Sequence, residues 1–169
     1  MDVYETVRTV LATRSYRPEP LPRESILRIL EAGRLTGSSM NLQPWHFILV
    51  DSRADLEQLG KLAKTGPYLS EAGMAVAVAI EDTRYAVSDA SRAIQSMILT
   101  AWADGIASNW VGFFGLEAIG TLLQIPPELK LLAVVAFGYE VQPRSLGKKA
   151  RKPFSEVIHR GRFGLPLKS

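Results

Sequence analysis

Cysteine is absent from the 169-residue chain, and histidine occurs only twice, as His46 and His159. The lack of cysteine excludes disulfides, thiol nucleophiles, thiolate zinc sites and iron–sulfur clusters. A histidine-based metal site is not expected either, because the sequence contains no H-E-x-x-H motif. We expect His46 to be a packed histidine at the start of a strand, and His159 to be exposed in the C-terminal tail.

Long apolar runs are also absent. The longest, residues 74–80 and 131–137, have seven residues each, whereas a transmembrane helix needs about 20. The first five residues include two acids, where a secretory signal would be basic. We therefore expect a cytoplasmic protein with no membrane partner.

Common motifs of nucleotide and hydrolytic chemistry are missing as well. There is no G-x-x-x-x-G-K-[ST] phosphate loop, no G-x-G-x-x-G after a predicted strand and no G-x-S-x-G nucleophile elbow. Their absence argues against nucleoside triphosphate hydrolysis, a Rossmann dinucleotide site and a serine hydrolase. If the chain is an enzyme, we expect a cofactor to carry the difficult step.

Charge is distributed unevenly along the chain. Residues 144–169 contain eight basic residues and one acid, a net +7, whereas residues 1–143 carry a net −4. Such a basic tail favours an anionic partner, namely a phosphate, a nucleic acid or a membrane surface, although a solvated terminus has the same composition. Only Phe154 and Phe163 alternate with the basic residues, so we expect no nucleic-acid partner.

Apolar periodicity and turn residues predict one α/β domain over residues 1–169. Residues 84–105 read as a long, largely buried helix, covered either by its own sheet or by a twin helix across a two-fold axis. In the first helix, Val3, Val7, Val10 and Leu11 are predicted to share an apolar face. The helices are predicted at 2–12, from 22 to about 33, 54–64, 84–105, 116–123 and 154–159, and the strands at 46–50, 74–80, 108–114 and 131–139.

Three segments combine residues that bind anions or heterocycles. In the first, Arg14 and Arg17 flank Ser15, an arrangement suited to a phosphate, although arginine also stabilises a helix C-terminus. In the second, residues 37–47, amides and hydroxyls precede a strand and could pair with the edge of a heterocycle or simply form a turn. The third, residues 148–153, is basic enough to hold a phosphate dianion.

The order of these segments resembles that of the FMN-dependent nitroreductase family. The pattern runs R-S-x-R at 14–17, S-S-x-N-x-Q-P-W-x-F at 38–47, W-V-G-F at 110–113 and R-K-P at 151–153. The resemblance implies an α+β fold of three layers, α/β/α, in which helices flank a mixed central sheet. It also implies a homodimer with FMN at the interface and a C-terminal tail that reaches across to the partner.

The resemblance further implies which residues contact FMN, and it implies neither a metal ligand nor a catalytic acid or base. Arg17 would lie near flavin N1 and O2 as an electrostatic stabiliser. The turn at 38–43 would reach the flavin from the other subunit, and a backbone N–H at 111–112 would meet N5. The implied cofactor-binding residues are Arg14, Ser15, Arg17, Ser38, Ser39, Met40, Asn41, Gln43, Val111, Gly112, Lys149 and Arg151.

The chain departs from the family pattern in three places. Thr13 stands where many members have arginine, so one phosphate contact is missing or comes from the basic tail. Gly37 stands where proline is common, which could loosen the turn. Segments 64–68 and 113–116 leave no room for lid helices over the flavin, so we expect an open site.

The implied activity is an NAD(P)H-dependent FMN oxidoreductase. Electrons would pass from NADH or NADPH through flavin N5 to a small organic acceptor, such as a nitroaromatic or a quinone, in a two-step ping-pong reaction. The alternatives are other flavin chemistry on the same fold, such as ene reduction, dehalogenation or flavin cleavage, and flavin binding without turnover. A nucleic-acid-binding module would instead bind more weakly as salt increases.

Overall fold

The structure is a computed structural model that describes residues 1–112, 114–142 and 149–167. Position 113, at the end of a predicted strand, and positions 143–148 of the predicted basic loop lie outside the described residues. The helices are α1 (Val3–Thr9), α2 (Arg23–Arg34), α3 (Arg53–Leu62), α4 (Ala86–Ala103), α5 (Glu117–Leu122) and α6 (Phe154–Val157). The strands are β1 (Trp45–Val50), β2 (Met74–Ile80), β3 (Ala107–Gly112) and β4 (Lys130–Gly138), and short 3-10 helices span Ser39–Asn41 and Pro67–Glu71.

The four strands form one sheet in the order β1-β2-β4-β3, and every neighbouring pair is antiparallel. A parallel bridge between Ala12 and Ser108 places the segment after α1 beside the outer edge of β3. The predicted α+β class is confirmed. Among the described residues, the parallel part of the predicted mixed sheet is this one bridge.

Strand β2 is buried along its whole length, which shows that both faces of the sheet are covered. Val76 and Val78 face a core shared with α2 and α4, whereas Ala75 and Ala77 face a second core shared with α3 and α5. This alternation follows from the two-residue period of a strand. It produces the three layers that the family resemblance implies.

Helix α4 is the longest element and lies on one face of the sheet. Its alanines Ala90, Ala93 and Ala101 are fully buried, and their small side chains let the helix approach the sheet closely. Gly105, with φ of +76°, ends the helical segment where the sequence predicts a stop. The sheet and α2 therefore cover the buried side of α4.

The first helix differs from its predicted orientation. Thr6 and Thr9 are its buried residues, whereas Val3 and Val7 are 78% and 51% exposed. The threonines can be buried because each hydroxyl donates to the carbonyl four residues earlier, and Thr9 Oγ1 also accepts from Trp102 Nε1 at 2.9 Å. Val3 and Val7 therefore form an exposed apolar surface on α1.

The prediction of a packed His46 is wrong. Trp45 and Phe47 belong to the core beside α2 and α4, so strand alternation turns His46 to the opposite face. Because β1 is an edge strand, the His46 side chain is half exposed there, 3.4 Å from Glu81. His159 is half-buried rather than exposed, with its ring 4.4 Å from that of Phe163.

Two glycines in helices give a matched test of this packing. A Cβ at Gly60 in α3 would lie 2.8 Å from the backbone of Pro67 and Ser70, whereas a Cβ at Gly120 in α5 meets nothing within 4 Å. We expect Gly60→Ala to lower the free energy of unfolding by about 1–3 kcal/mol through overpacking. Gly120→Ala should raise it by up to about 1 kcal/mol through helix propensity. Urea unfolding of both variants checks the pair, and equal changes would contradict the packing described.

Candidate functional site

The N-terminal strap, residues 10–17, is fixed by backbone hydrogen bonds to β3 and to the residue that follows β4. Thr13 N–H donates to the carbonyl of Ser108 at 2.9 Å, and Arg17 N–H donates to that of Tyr139 at 2.9 Å. Between these bonds, Arg14 and Ser15 are exposed. The strap therefore holds a cation and a hydroxyl on a fixed backbone at the surface.

A cavity of about 330 Å³ opens beside the strap, lined by Thr13, Ser15, Glu140, Val141 and Gln142. Thr13 is buried, and its hydroxyl donates to Glu140 Oε1 at 2.5 Å. The Thr13 hydroxyl is therefore committed to a carboxylate. Ser15 supplies an exposed hydroxyl at the same cavity.

Arg14 interacts with Tyr68, which belongs to the 3-10 helix Pro67–Glu71. Burial raises the pKa of the Tyr68 phenol, and the charge and hydrogen bond of Arg14 oppose this rise. The Tyr68 ring also lies 6.3 Å from that of Tyr16, a buried residue of the strap. Because Tyr68 packs in the core beside α3, its interaction with Arg14 helps to fix the position of the Arg14 side chain.

Arg17 lies at the surface with half of its side chain exposed. One guanidinium nitrogen is 3.2 Å from Glu19, and the guanidinium carbon lies 5.1 Å from the ring centroid of Tyr139. Stacking on an aromatic face orients the planar guanidinium. The cation predicted to act on the flavin is thus held in place, and Glu19 offsets part of its charge.

Lys149 and Arg151 add two more cations, of which Lys149 contacts α1. Lys149 Nζ donates to the carbonyl of Val7 at 2.8 Å. Burial lowers the pKa of Lys149, and the neighbouring charge of Arg151 lowers it further. Two like charges held close together favour a bound anion, which would relieve their repulsion.

The second group of predicted residues forms the amide turn, residues 38–43. Met40, Asn41 and Gln43 all have positive φ, between 52° and 55°, which is uncommon for residues other than glycine. Ser38 Oγ accepts from Gln43 N–H at 2.9 Å and closes the turn. Met40 is 76% exposed, and Asn41 and Gln43 are also exposed. The turn thus presents two amides and a thioether outward.

Sequence reasoning missed the residue that anchors this turn, Asp89 of α4. Asp89 is fully buried, accepts from Ser39 N–H at 3.0 Å and from Ser39 Oγ at 3.1 Å, and pairs with Arg92. Burial opposes ionisation, but the hydrogen bonds from Ser39 and Arg92 outweigh it and lower the pKa of Asp89. The available signal was an acid on a helix otherwise predicted to be largely buried.

Val111 and Gly112 present their backbone groups in opposite directions. In an antiparallel strand, the N–H and C=O of one residue point to the same side, and successive residues alternate. Because the Ser108 carbonyl accepts from the strap at the outer edge of β3, the Gly112 N–H also lies at that edge, whereas that of Val111 points towards β4. A Cβ at Gly112 would lie 2.4 Å from Trp110 Nε1, so a larger residue at this position would require the Trp110 side chain to move.

The amide turn and the segment leading into the strap are attached to opposite ends of α4. Asp89 holds the turn near the start of the helix, and Trp102 bonds Thr9 near its end. Trp102 lies 13 positions after Asp89, which corresponds to about 20 Å of helix. In one chain, the predicted cofactor contacts are therefore divided between two places.

Two features are not found in the part of the chain that the structure describes. No three His, Cys, Asp or Glu side chains are grouped as they would be around a metal ion. No helix has the length and apolar character needed to cross a membrane.

Sequence and fold place the chain among known proteins. Residues 8–79 and 70–139 match the model of the nitroreductase family. An Archaeoglobus fulgidus protein, provisionally named NADH dehydrogenase/NAD(P)H nitroreductase, is 30% identical over 167 residues, which cover 93% of this chain and 96% of the relative. A Bacteroides fragilis nitroreductase solved with bound FMN is 28% identical, with a TM-score of 0.79 and coverage of 95% and 100%. A Clostridium difficile FMN-dependent nitroreductase shares the fold, with a TM-score of 0.84 at 22% identity and coverage of 94% and 98%. The chain therefore belongs to the nitroreductase family.

Proposed function

We propose that this protein is an FMN-dependent oxidoreductase that uses NADH or NADPH, and that residues 1–169 form its single FMN-binding domain. The observation that carries the proposal is the strap, which fixes Arg14 and Ser15 at the surface beside a cavity that Ser15 lines. The Bacteroides fragilis relative, solved with bound FMN, supports the choice of cofactor.

The cations around the strap fit the phosphate of FMN. Arg14 and Ser15 would bind it from the strap, and Lys149 and Arg151 would approach from the C-terminal segment, where a dianion would relieve their mutual repulsion. Thr13 cannot replace the arginine common in the family, because its hydroxyl already donates to Glu140. The phosphate therefore depends more heavily on the C-terminal cations in this chain.

The groups at the edge of the sheet fit the flavin ring. The Gly112 N–H lies at the outer edge of β3, where it can donate to N5, and no side chain at this position obstructs it. Arg17 would hold its positive charge near N1 and O2. Asn41 and Gln43 offer both donors and acceptors to a heterocycle.

When bound, FMN supplies hydride acceptance from NADH or NADPH and electron transfer to a small organic acceptor, such as a nitroaromatic or a quinone, in two half-reactions of ping-pong type. The side chains bind and orient the cofactor and need not act as acid or base. The fixed charge of Arg17 favours negative charge at the pyrimidine end of the ring. Segment 64–68 contains only a turn and the start of a short 3-10 helix, which supports an open site that selects acceptors weakly.

The divided arrangement of the site supports a homodimer with FMN at the interface. A two-fold axis near α4 would bring the amide turn of one chain to the strap of the other. A groove of about 500 Å³ between α1, α2 and α4 includes Val3 and Leu35, both exposed. In the C-terminal tail, Phe163 is 92% exposed, as expected if the tail packs on a partner chain.

The cofactor is tested by the visible absorbance of the purified protein. We expect the protein to be yellow or to become so on incubation with FMN, to bleach under anaerobic NADH or NADPH, and to recover colour when a quinone is added. A colourless protein that takes up no FMN would refute the proposal. A yellow protein that neither nucleotide reduces would indicate flavin binding without turnover.

Replacing Arg17 tests its electrostatic role. We expect Arg17→Ala to weaken FMN binding and to slow flavin reduction, each by about tenfold or more, since a charged hydrogen bond contributes about 1.5–3 kcal/mol. Stopped-flow reduction and flavin titration measure the two effects. Lys61→Ala, which removes an exposed cation from α3, is the control, and equal behaviour of the two variants would remove Arg17 from the site.

The dimer is tested by sedimentation velocity. We expect a dimer in the native protein, and we expect Phe163→Asp to raise the dissociation constant at least about tenfold, because burial of an aromatic side chain contributes about 1.5–3 kcal/mol. Ala118→Asp, on the exposed side of α5, adds the same charge away from the tail and should leave the dimer intact. A native monomer that binds FMN would contradict the proposed interface.

A further inference from the structure

We propose that Asp89 is a positioning residue that fixes the amide turn in the conformation in which it contacts the cofactor. The inference rests on the proposed function for the identity of the cofactor. Its structural part, that Asp89 determines the conformation of residues 38–43, is independent of any ligand.

The contacts of Asp89 are concentrated on one residue of the turn. One carboxylate oxygen accepts from Ser39 N–H at 3.0 Å, and the other accepts from Ser39 Oγ at 3.1 Å. Ser39 begins the 3-10 helix Ser39–Asn41, so its N–H has no partner within that helix. The carboxylate thus satisfies a donor that the turn itself cannot satisfy.

The position of Asp89 makes this anchor rigid. Asp89 is fully buried and lies in the first turn of α4, where the helix dipole favours a negative charge. Arg92, one turn further along the helix, supplies the positive counter-charge. Because α4 packs on the sheet, the carboxylate has a fixed place in the core, and Ser39 is held relative to the sheet.

The turn needs such an anchor because its backbone is strained. Met40, Asn41 and Gln43 occupy the left-handed region, which is unfavourable for most residues with a side chain. Without the bonds to Asp89, the segment could relax to ordinary φ values. Relaxation would redirect the exposed amides that are proposed to meet the flavin.

A second tie between this region and α4 provides a matched control. Thr36 Oγ1 donates to Ser96 Oγ at 2.8 Å. This bond joins α4 to the loop between α2 and the amide turn, so it lies outside the turn itself. Ser96→Ala therefore removes a hydrogen bond to α4 and leaves the contacts of Asp89 in place.

The first measurement is amide hydrogen exchange in the flavin-free protein, for Asp89→Asn, Ser39→Ala and Ser96→Ala. We expect exchange of the amides at 39, 41 and 43 to accelerate about tenfold or more in Asp89→Asn, because the loss of bonds to a charged acceptor opens the turn. Ser39→Ala, which removes one hydroxyl and endangers folding less, should show a smaller change at the same amides. Ser96→Ala should show none there. Unchanged exchange in the first two variants, or an equal rise along the whole of α4, would overturn the inference.

The second measurement is the dissociation constant of FMN together with the visible circular dichroism of the bound flavin. We expect Asp89→Asn to weaken FMN binding about tenfold and to alter the flavin dichroism, whereas Ser96→Ala should keep both at native values. Altered exchange with native affinity and native dichroism would show that the turn does not contact the cofactor as proposed. If the native protein binds no FMN, the proposed function fails, and the exchange data alone decide whether Asp89 holds the turn.

Discussion

The packing of α4 on the sheet is the constraint on which the rest of the structure depends. Ala90, Ala93 and Ala101 are fully buried on this helix, and a Cβ at Gly33 of α2 would lie only 3.0 Å from the side chain of Met97. Small residues at these contacts let two helices and a sheet approach closely without voids. Because α4 cannot shift, the polar groups at its two ends serve as fixed points for segments that have little regular structure of their own.

Those two ends define the architecture of the candidate site. At one end, Asp89 holds the amide turn, and at the other, Trp102 holds α1 and thus the segment that becomes the strap. A rigid helix of this length keeps the two groups apart within one chain. In the proposed homodimer, a two-fold axis near α4 would bring the amide turn of one chain to the strap of the other. The packing of α4 would therefore govern both the separation of the two groups within one chain and their meeting across the interface.

The sequence predicts elements well where a single local pattern decides the outcome. The β2 run, Met74–Ile80, has the predicted bounds, and α4 ends within two residues of its predicted limits at each end. Prediction fails where the outcome depends on which neighbour covers a face. His46 follows the expected alternation, yet its side chain remains half exposed at the sheet edge. In α1, Thr6 and Thr9 occupy the buried face in place of Val3 and Val7, because each threonine hydroxyl has a hydrogen-bond partner.

The candidate site shows the same division between local and distant information. Its segments can be located from residue types, as with Arg14, Ser15 and the amides of the turn. The positive φ values of Met40, Asn41 and Gln43 cannot be predicted, because they depend on a carboxylate 50 positions from Ser39. Nor does the residue pattern show that Thr13 is committed to Glu140, 127 positions away.

Charge at the site is set by the same long-range contacts. Glu140 and Glu19 lie beside the strap and offset part of its positive charge, whereas burial and, to a lesser extent, the neighbouring charge of Arg151 lower the pKa of Lys149. An anion near the strap alone would meet two carboxylates, but one near Lys149 would neutralise two cations. In the proposed FMN site, Lys149 and Arg151 of the C-terminal segment would therefore compensate for the two carboxylates beside the strap.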